Sequence, residues 1–275
     1  MHKISHHFQA ATVVAFYCKF NIRMETINQL NKVAKITSLF WIMKVIATTL
    51  GETLGDFISM TLKLGYMAGI GITATFFFIV LFIQLSVKRF YAFLFWLVII
   101  GTTTLGTEIS DFIDRSLHLG YAVGSLLLVL CLFLTLFIWY RKYLSLEVYP
   151  ILQTQKEIYY WIAVLFSNSL GTAFGDFLSD NLALSYLTGA FITGAIILLV
   201  VLLHYYSKIN HIILFWIAFI FTRPFGATFG DFLTRPISKG GLALGTLPSS
   251  LISLFLLTVL IFISEKQHKK SNIEF

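Results

Sequence analysis

The sequence predicts an all-α polytopic membrane helical bundle: eight transmembrane helices arranged as four parallel-oriented two-helix repeats. Three observations predict it. Of 275 residues, 57% are hydrophobic and only 12% charged, whereas a soluble domain runs near a quarter charged. Apolar stretches recur between short polar breaks, each about 20 residues long, which matches a hydrocarbon core of roughly 30 Å. One aspartate-containing motif also returns four times in register.

The apolar stretches are 36–58, 62–87, 90–112, 117–140, 158–178, 183–205, 211–233 and 242–264. Backbone amides in lipid must bond internally, which leaves helices or closed barrels, and long runs without strict alternation exclude the barrel. Pro150 and Pro248 lie at or near helix ends, while Pro224 falls inside the seventh stretch and should kink it.

These stretches define an N-terminal segment 1–34 and a single membrane domain 35–264, followed by a tail 265–275. The repeats run at about 35–87, 88–140, 156–206 and 208–264. Orientation follows from the basic residues. The ends and the even-to-odd connections hold Lys3, Lys19, Arg23, Lys32, Lys35, Lys88, Arg89, Arg141, Lys142, Lys156, Lys208, Lys266, Lys269 and Lys270. The other side holds Lys63, Arg115, Arg235 and Lys239. This bias predicts that both termini are cytoplasmic.

The formal charge of +7 therefore reflects topology. Nucleic-acid binding would need the cations gathered on one folded surface, so the lipid bilayer is the predicted partner and nucleic acid is not. The first 35 residues lack the apolar run and cleavage pattern of a signal peptide. Residues 1–23 match nothing elsewhere in the chain, and Met24 is a second candidate start. Cys18 and Cys131 are isolated thiols that indicate neither a disulfide nor a metal site.

Internal repetition organises the rest. Asp56, Asp111, Asp176 and Asp231 are each followed by phenylalanine, and each has glycine five positions before: Gly51, Gly106, Gly171 and Gly226. Position minus one is Gly55, Ser110, Gly175 or Gly230, and position minus fifteen is Trp41, Trp96, Trp161 or Trp216. Tyr66, Tyr121 and Tyr186 follow the aspartate by ten residues in three copies; the fourth carries an insertion containing Pro236 and Gly240. Units that cross the bilayer twice share one orientation, which implies pseudo-symmetry about the membrane normal.

Three segments carry a family resemblance: Phe40-Trp41-Ile42-Met43-Lys44, Ala47-Thr48-Thr49-Leu50-Gly51-Glu52-Thr53, and Arg223-Pro224-Phe225-Gly226-Ala227-Thr228-Phe229-Gly230-Asp231-Phe232. On these, about residues 32–262 resemble a family of uncharacterised bacterial multi-pass membrane proteins defined by a repeated domain of unknown function. The resemblance implies a membrane location and no settled activity, and the expected location is a bacterial inner membrane.

At 100° per residue, positions zero, minus three, minus four, minus seven and minus eight fall within roughly 140°. That arc is mostly polar. It carries Asp56, Thr53, Glu52, Thr49 and Thr48 in the first copy, and Asp111, Glu108, Thr107, Thr104 and Thr103 in the second. The third adds Asn168 and the fourth Arg223, and Lys44 lies deeper on the first helix. The glycine strip beside the arc is a helix-packing pattern. Ionised groups in a bilayer turn toward an interior or a cavity. The plain alternatives are wetted helix ends for the aspartates, pairing of Arg223 and Lys44 with Glu52 or Glu108, back-bonding for the threonines and interfacial anchoring for the tryptophans.

The leading expectation is a transporter or permease, cation- or proton-coupled, with the odd helices lining the path. Asp56, Asp111, Asp176 and Asp231 would stand at its outer end and Glu52 and Glu108 in the next layer, with Lys44, Arg223, Asn168, Thr48 and Thr103 completing it. The six carboxylates are the metal-ligand candidates, and oxygen donors suit hard cations such as Mg²⁺ or Mn²⁺. A non-transporting scaffold or sensor is the alternative. The third is an intramembrane aspartyl protease, because Leu54-Gly55-Asp56-Phe57 resembles the Gly-x-Gly-Asp motif of presenilin-like enzymes. Four equivalent aspartates argue against it, as do Leu54, Ile109, Phe174 and Phe229 at position minus two. No catalytic residue is assigned and the chain is not read as an enzyme. It has no P-loop, and no cofactor is expected.

Overall fold

The computed structural model describes residues 31–271, with side chains to residue 266. Cys18, Met24, Lys3, Lys19 and Arg23 lie outside the described residues, as do the side chains of Lys269 and Lys270. Eight α-helices and no strands are present among the described residues. They are α1 (Ser38–Asp56), α2 (Tyr66–Ser86), α3 (Ala92–Asp111), α4 (Gly120–Tyr143), α5 (Thr154–Asp176), α6 (Tyr186–Tyr206), α7 (His211–Thr234) and α8 (Thr246–Ser271).

Helix ends follow local chemistry. The Thr37 hydroxyl caps α1 by accepting from the Phe40 amide, and Ser185 and Asn210 cap α6 and α7 in the same way. Pro248 occupies the first turn of α8, where no amide is needed, while α7 continues through Pro224.

The reversal after each odd helix repeats almost bond for bond. α1, α3 and α5 run into a single π-helical turn at Phe57–Thr61, Phe112–Ser116 and Phe177–Asn181. The amides of Leu62, Leu117 and Leu182 close these turns onto the carbonyls of Phe57, Phe112 and Phe177 at 2.9–3.1 Å. Lys63, His118 and Ala183 then take positive φ. In the fourth copy Leu242 bonds back to Phe232 at 2.7 Å, and the inserted residues form a short 3₁₀ turn at Ile237–Lys239.

Packing sorts the helices into two shells. α1 packs on α3, α3 on α5, α5 on α7 and α7 back on α1, a closed ring of the four odd helices. Each even helix lies outside on the next odd one: α2 on α3, α4 on α5, α6 on α7 and α8 on α1. The last pairing joins the end of the chain to its first helix. Ring helices bury most of their residues, whereas the outer shell exposes Phe78, Phe82, Leu126, Phe133, Phe191, Leu198, Phe255 and Phe262. An apolar surface of this extent suits contact with lipid.

Among the described residues six helices are long and apolar enough to cross a membrane: α2, α3, α4, α6, α7 and α8. The expectation of eight such helices is met for these six. α1 and α5 fall short because α1 carries Lys44, Glu52 and Asp56, while α5 opens on Lys156-Glu157 and carries Asn168. Both are ring helices, and apart from the half-buried Lys156 these polar groups are covered by protein.

The tryptophans depart from the expected anchoring role. Trp96, Trp161 and Trp216 are buried, and Trp41 is half-buried. Trp96 packs on Phe40 and Phe95, Trp161 on Phe95, and Trp216 on Trp139 and Phe219. The Trp216 indole donates to Leu146 O at 3.1 Å. These rings fill the bundle end opposite the aspartates, because the ring leaves room there that only large side chains occupy.

Candidate functional site

The glycines determine how the ring helices meet. Gly51, Gly106, Gly171 and Gly226 each face position minus eight of the next ring helix: Thr103, Asn168, Arg223 and Thr48. A Cβ at Gly51 would fall on the Thr103 side chain and 2.9 Å from its carbonyl carbon. Gly55, Gly175 and Gly230 likewise face Thr107, Ala227 and Glu52, all at position minus four. The small-residue strip thus seats the neighbour's polar side chains in the seam. Thr48 and Thr103 serve the seams: their hydroxyls reach Thr222 O at 3.2 Å and Ala47 O at 3.3 Å across them. Each also reaches its own preceding turn, at 2.8 Å and 2.9 Å.

The four motif aspartates are buried at one end of the ring, tied in pairs by two arginines. Arg115 Nη2 lies 2.9 Å from Asp176 Oδ2, and its Nε lies 3.5 Å from Asp111 Oδ1. Arg235 Nε lies 2.6 Å from Asp231 Oδ1, and its Nη2 lies 3.2 Å from Asp56 Oδ2. Each arginine stands four residues after its own aspartate, so the reversing turn brings it back over that carboxylate and onto the adjoining repeat's. Met60 and Asp180 hold the corresponding places in the other two repeats. Arg115 also donates to the phenol oxygens of Tyr66 and Tyr121, and Tyr121 donates to Asp180 at 2.8 Å.

A polar column continues inward. Glu52, Asp176 and Asp231 bring one carboxylate oxygen each within 4.8 Å of one another. Arg223 Nη2 donates to Glu52 at 2.9 Å and contacts the Thr107 hydroxyl at 2.6 Å. Its Nε and Nη1 have no hydrogen-bond partner among the described residues. One turn deeper, Lys44 donates to Asn168 at 2.9 Å, Asn168 donates to Thr102 at 3.0 Å, and the Lys44 ammonium lies 4.2 Å from the centre of the Phe219 ring. Lys44 and Arg223 have no side-chain exposure.

Three sequence expectations change here. Glu108 does not share a layer with Glu52; it turns outward to α2 and lies against Gly69. Lys44 makes no ion pair among the described residues, and its acceptor is Asn168. The converging triad includes neither Asp56 nor Asp111, although both, like the triad's own carboxylates, face an arginine.

Arg115 and Arg235 bind the motif aspartates, although in the sequence they read only as outer-loop charges. The aspartate-to-arginine spacing of four was the available signal. At the opposite end, Lys32 pairs with Glu157, and Gln84 donates to Glu157 at 2.9 Å and to Lys32 O at 3.0 Å. This buried cluster fixes the segment before α1 against α2 and α5.

Above the triad a cavity of about 270 Å³ opens between Asp176, Asp231, Arg115, Arg235, Tyr121 and Tyr186, with Asp180 and Lys239 at its wall. Asp176 and Asp231 line this polar cavity, and with the buried Glu52 beside them they bring carboxylates from three helices into an oxygen donor set suited to a hard cation. Each carboxylate is already engaged by a guanidinium, so an entering cation would compete with Arg115, Arg235 and Arg223 for the same oxygens.

No curated protein and no solved structure matches the chain significantly. A family described as Repeat of Unknown Function (DUF347) matches residues 39–90, 94–143, 159–210 and 214–267. These four matches coincide with the four helix pairs on which the site is built, and the chain belongs to that family.

Proposed function

We propose that the protein is a multi-pass membrane transporter for a hard divalent cation of the Mn²⁺ or Mg²⁺ type, cation- or proton-coupled. In this reading all eight helices span a bacterial inner membrane, with both termini cytoplasmic. α1 and α5 enter the bilayer inside the shell of the more apolar helices. The cavity over the aspartates then faces outward, because the basic connections lie at the opposite end.

The convergence of Glu52, Asp176 and Asp231 within 4.8 Å carries the proposal. Buried ionisable groups in membrane proteins line substrate and ion pathways, and these three come from three different repeats. The cation binds by displacing guanidinium groups from the carboxylates. Occupancy thereby becomes a rearrangement of the arginines, which is the kind of two-state change a carrier requires.

Flux of radioactive Mn²⁺ into proteoliposomes tests the reading. Wild-type protein is expected to move Mn²⁺, while Asp176→Asn and Asp231→Asn lose the flux yet keep their elution profile. Absence of flux for every divalent cation tried, with wild-type protein folded, overturns the proposal. A non-transporting scaffold or sensor is the second reading. The cyclic seating of polar side chains on Gly51, Gly106, Gly171 and Gly226 favours it, since that packing holds the ring together without any substrate.

A further inference from the structure

Glu108 stands apart from the axial cluster. It lies three residues before Asp111 and turns toward α2, where a Cβ on Gly69 would meet its Oε2 at 2.5 Å. It has no solvent exposure, and neither carboxyl oxygen has a hydrogen-bond partner among the described residues. Ser59 is nearby, but its hydroxyl donates to Gly55 O at 2.9 Å. From α1 the charged groups acting on Glu108 are Asp56 and Glu52, both acids, and from α2 the facing residue is Gly69.

Packing does not require an acid at this register. The equivalent positions in the other repeats are Thr53, Ala173 and Thr228. Thr53 accepts from Ser250 of α8 at 2.9 Å, and Thr228 sits against Gly189 of α6. Neutral side chains therefore fill the same seam elsewhere. A carboxylate without donors, with acids as its charged neighbours, is strongly disfavoured in a low-dielectric interior. The occupant that removes its charge is a proton.

We propose that Glu108 is a proton-binding site separate from the axial acids, and that it couples proton movement to the cation site. The coupling half rests on the transport reading above; the proton-binding half does not. A cation held by Glu52, Asp176 and Asp231 offsets negative charge near Glu108 and favours its ionised form. Reciprocally, a proton on Glu108 weakens cation binding. Cation uptake then releases the Glu108 proton, which makes the exchange an antiport.

Dicyclohexylcarbodiimide tests the site on the full-length protein. A protonated carboxyl adds its O–H across one C=N bond of this apolar reagent, and the adduct rearranges to a stable N-acylurea that peptide mass spectrometry locates. The expected result is an adduct on Glu108 that forms more slowly as pH rises, is suppressed by saturating Mn²⁺, and is lost in Glu108→Gln. Asp114, whose Oδ1 is also buried and unpartnered, is the internal comparison. Labelling of Asp114 alone, or of no carboxyl, overturns the proton site.

Proteoliposomes test the coupling. Glu108→Gln is expected to lose Mn²⁺ accumulation driven by a pH gradient and to keep Mn²⁺-for-Mn²⁺ exchange. Retention of gradient-driven accumulation, or loss of both activities by folded protein, overturns the coupling role. If wild-type protein exchanges no Mn²⁺, the transport reading has failed, and the labelling result still decides whether Glu108 holds a proton.

Discussion

Arg223 of the fourth repeat donates to Glu52 of the first at 2.9 Å, and both side chains are buried where α7 closes the ring against α1. Gly171 makes room for the arginine stem and Gly230 for the glutamate, so two neighbouring seams deliver the pair to the axis.

Removing one partner leaves the other charge buried and alone. Arg223→Met or Glu52→Gln is expected to destabilise the protein by about 3–5 kcal/mol, and the double variant to recover most of that loss. Chemical denaturation of purified protein in detergent checks this, with the coupling energy read from the double-mutant cycle. Equal and additive losses would show that the pair contributes no interaction of its own.

Lys44 gives the opposite expectation. It has no acidic partner among the described residues, donates only to Asn168 and lies over Phe219. Replacing a poorly compensated buried charge by an apolar residue of similar length is neutral or stabilising, by up to about 4 kcal/mol. Lys44→Met should therefore match or exceed wild-type stability while losing Mn²⁺ flux. A large loss of stability would assign Lys44 a structural role instead.

Glycine substitutions separate the seams from the lipid face. Gly51→Ala and Gly226→Ala place a methyl group on Thr103 and Thr48, and each should cost about 1–3 kcal/mol through overpacking. Gly71→Ala, on an open face of α2 with nothing near the added carbon, should be neutral or stabilising by about 0.5 kcal/mol. Thermal melting of the three variants under one set of conditions ranks them; a Gly71→Ala loss as large as that of Gly51→Ala would contradict the packing.

Cation binding should stabilise the fold by mass action, by about 2.7 kcal/mol at a hundredfold excess over Kd. Mn²⁺ is expected to raise the melting temperature of wild-type protein and a chelator to reverse it. Asp176→Asn and Asp231→Asn should abolish the shift and Asp111→Asn should keep it, since Asp111 lies outside the triad. A shift that survives Asp231→Asn would place the ion elsewhere.

Much of this architecture was legible in the sequence because the repeat fixes it. The spacing of Trp41, Gly51 and Asp56, returning three more times, gave four equivalent units and placed the aspartates at one end. The polar arc also put Glu52 near the axis. It was too broad to separate positions minus four and minus three: these lie 100° apart on a helix, and one turns to the ring centre while the other meets the outer helix. Glu108 was therefore grouped with Glu52.

Arg115 and Arg235 were read as outer charges because the apolar runs end near their aspartates, whereas the chain continues turning for several more residues and swings both guanidinium groups inward. The tryptophans followed interfacial preference in the sequence and core packing in the fold, since the ring end has a volume that one helix alone does not reveal. Lys32 and Glu157 pair across distant segments, and no local pattern marks them.

Anomalous X-ray scattering from crystals grown with Mn²⁺ tests the central claim most directly. A single strong peak within coordination distance of Glu52, Asp176 and Asp231, with Arg115 or Arg235 drawn away from its aspartate, is the predicted result. At saturating Mn²⁺, a peak only on surface carboxylates, or none with the arginine pairs intact, would contradict it.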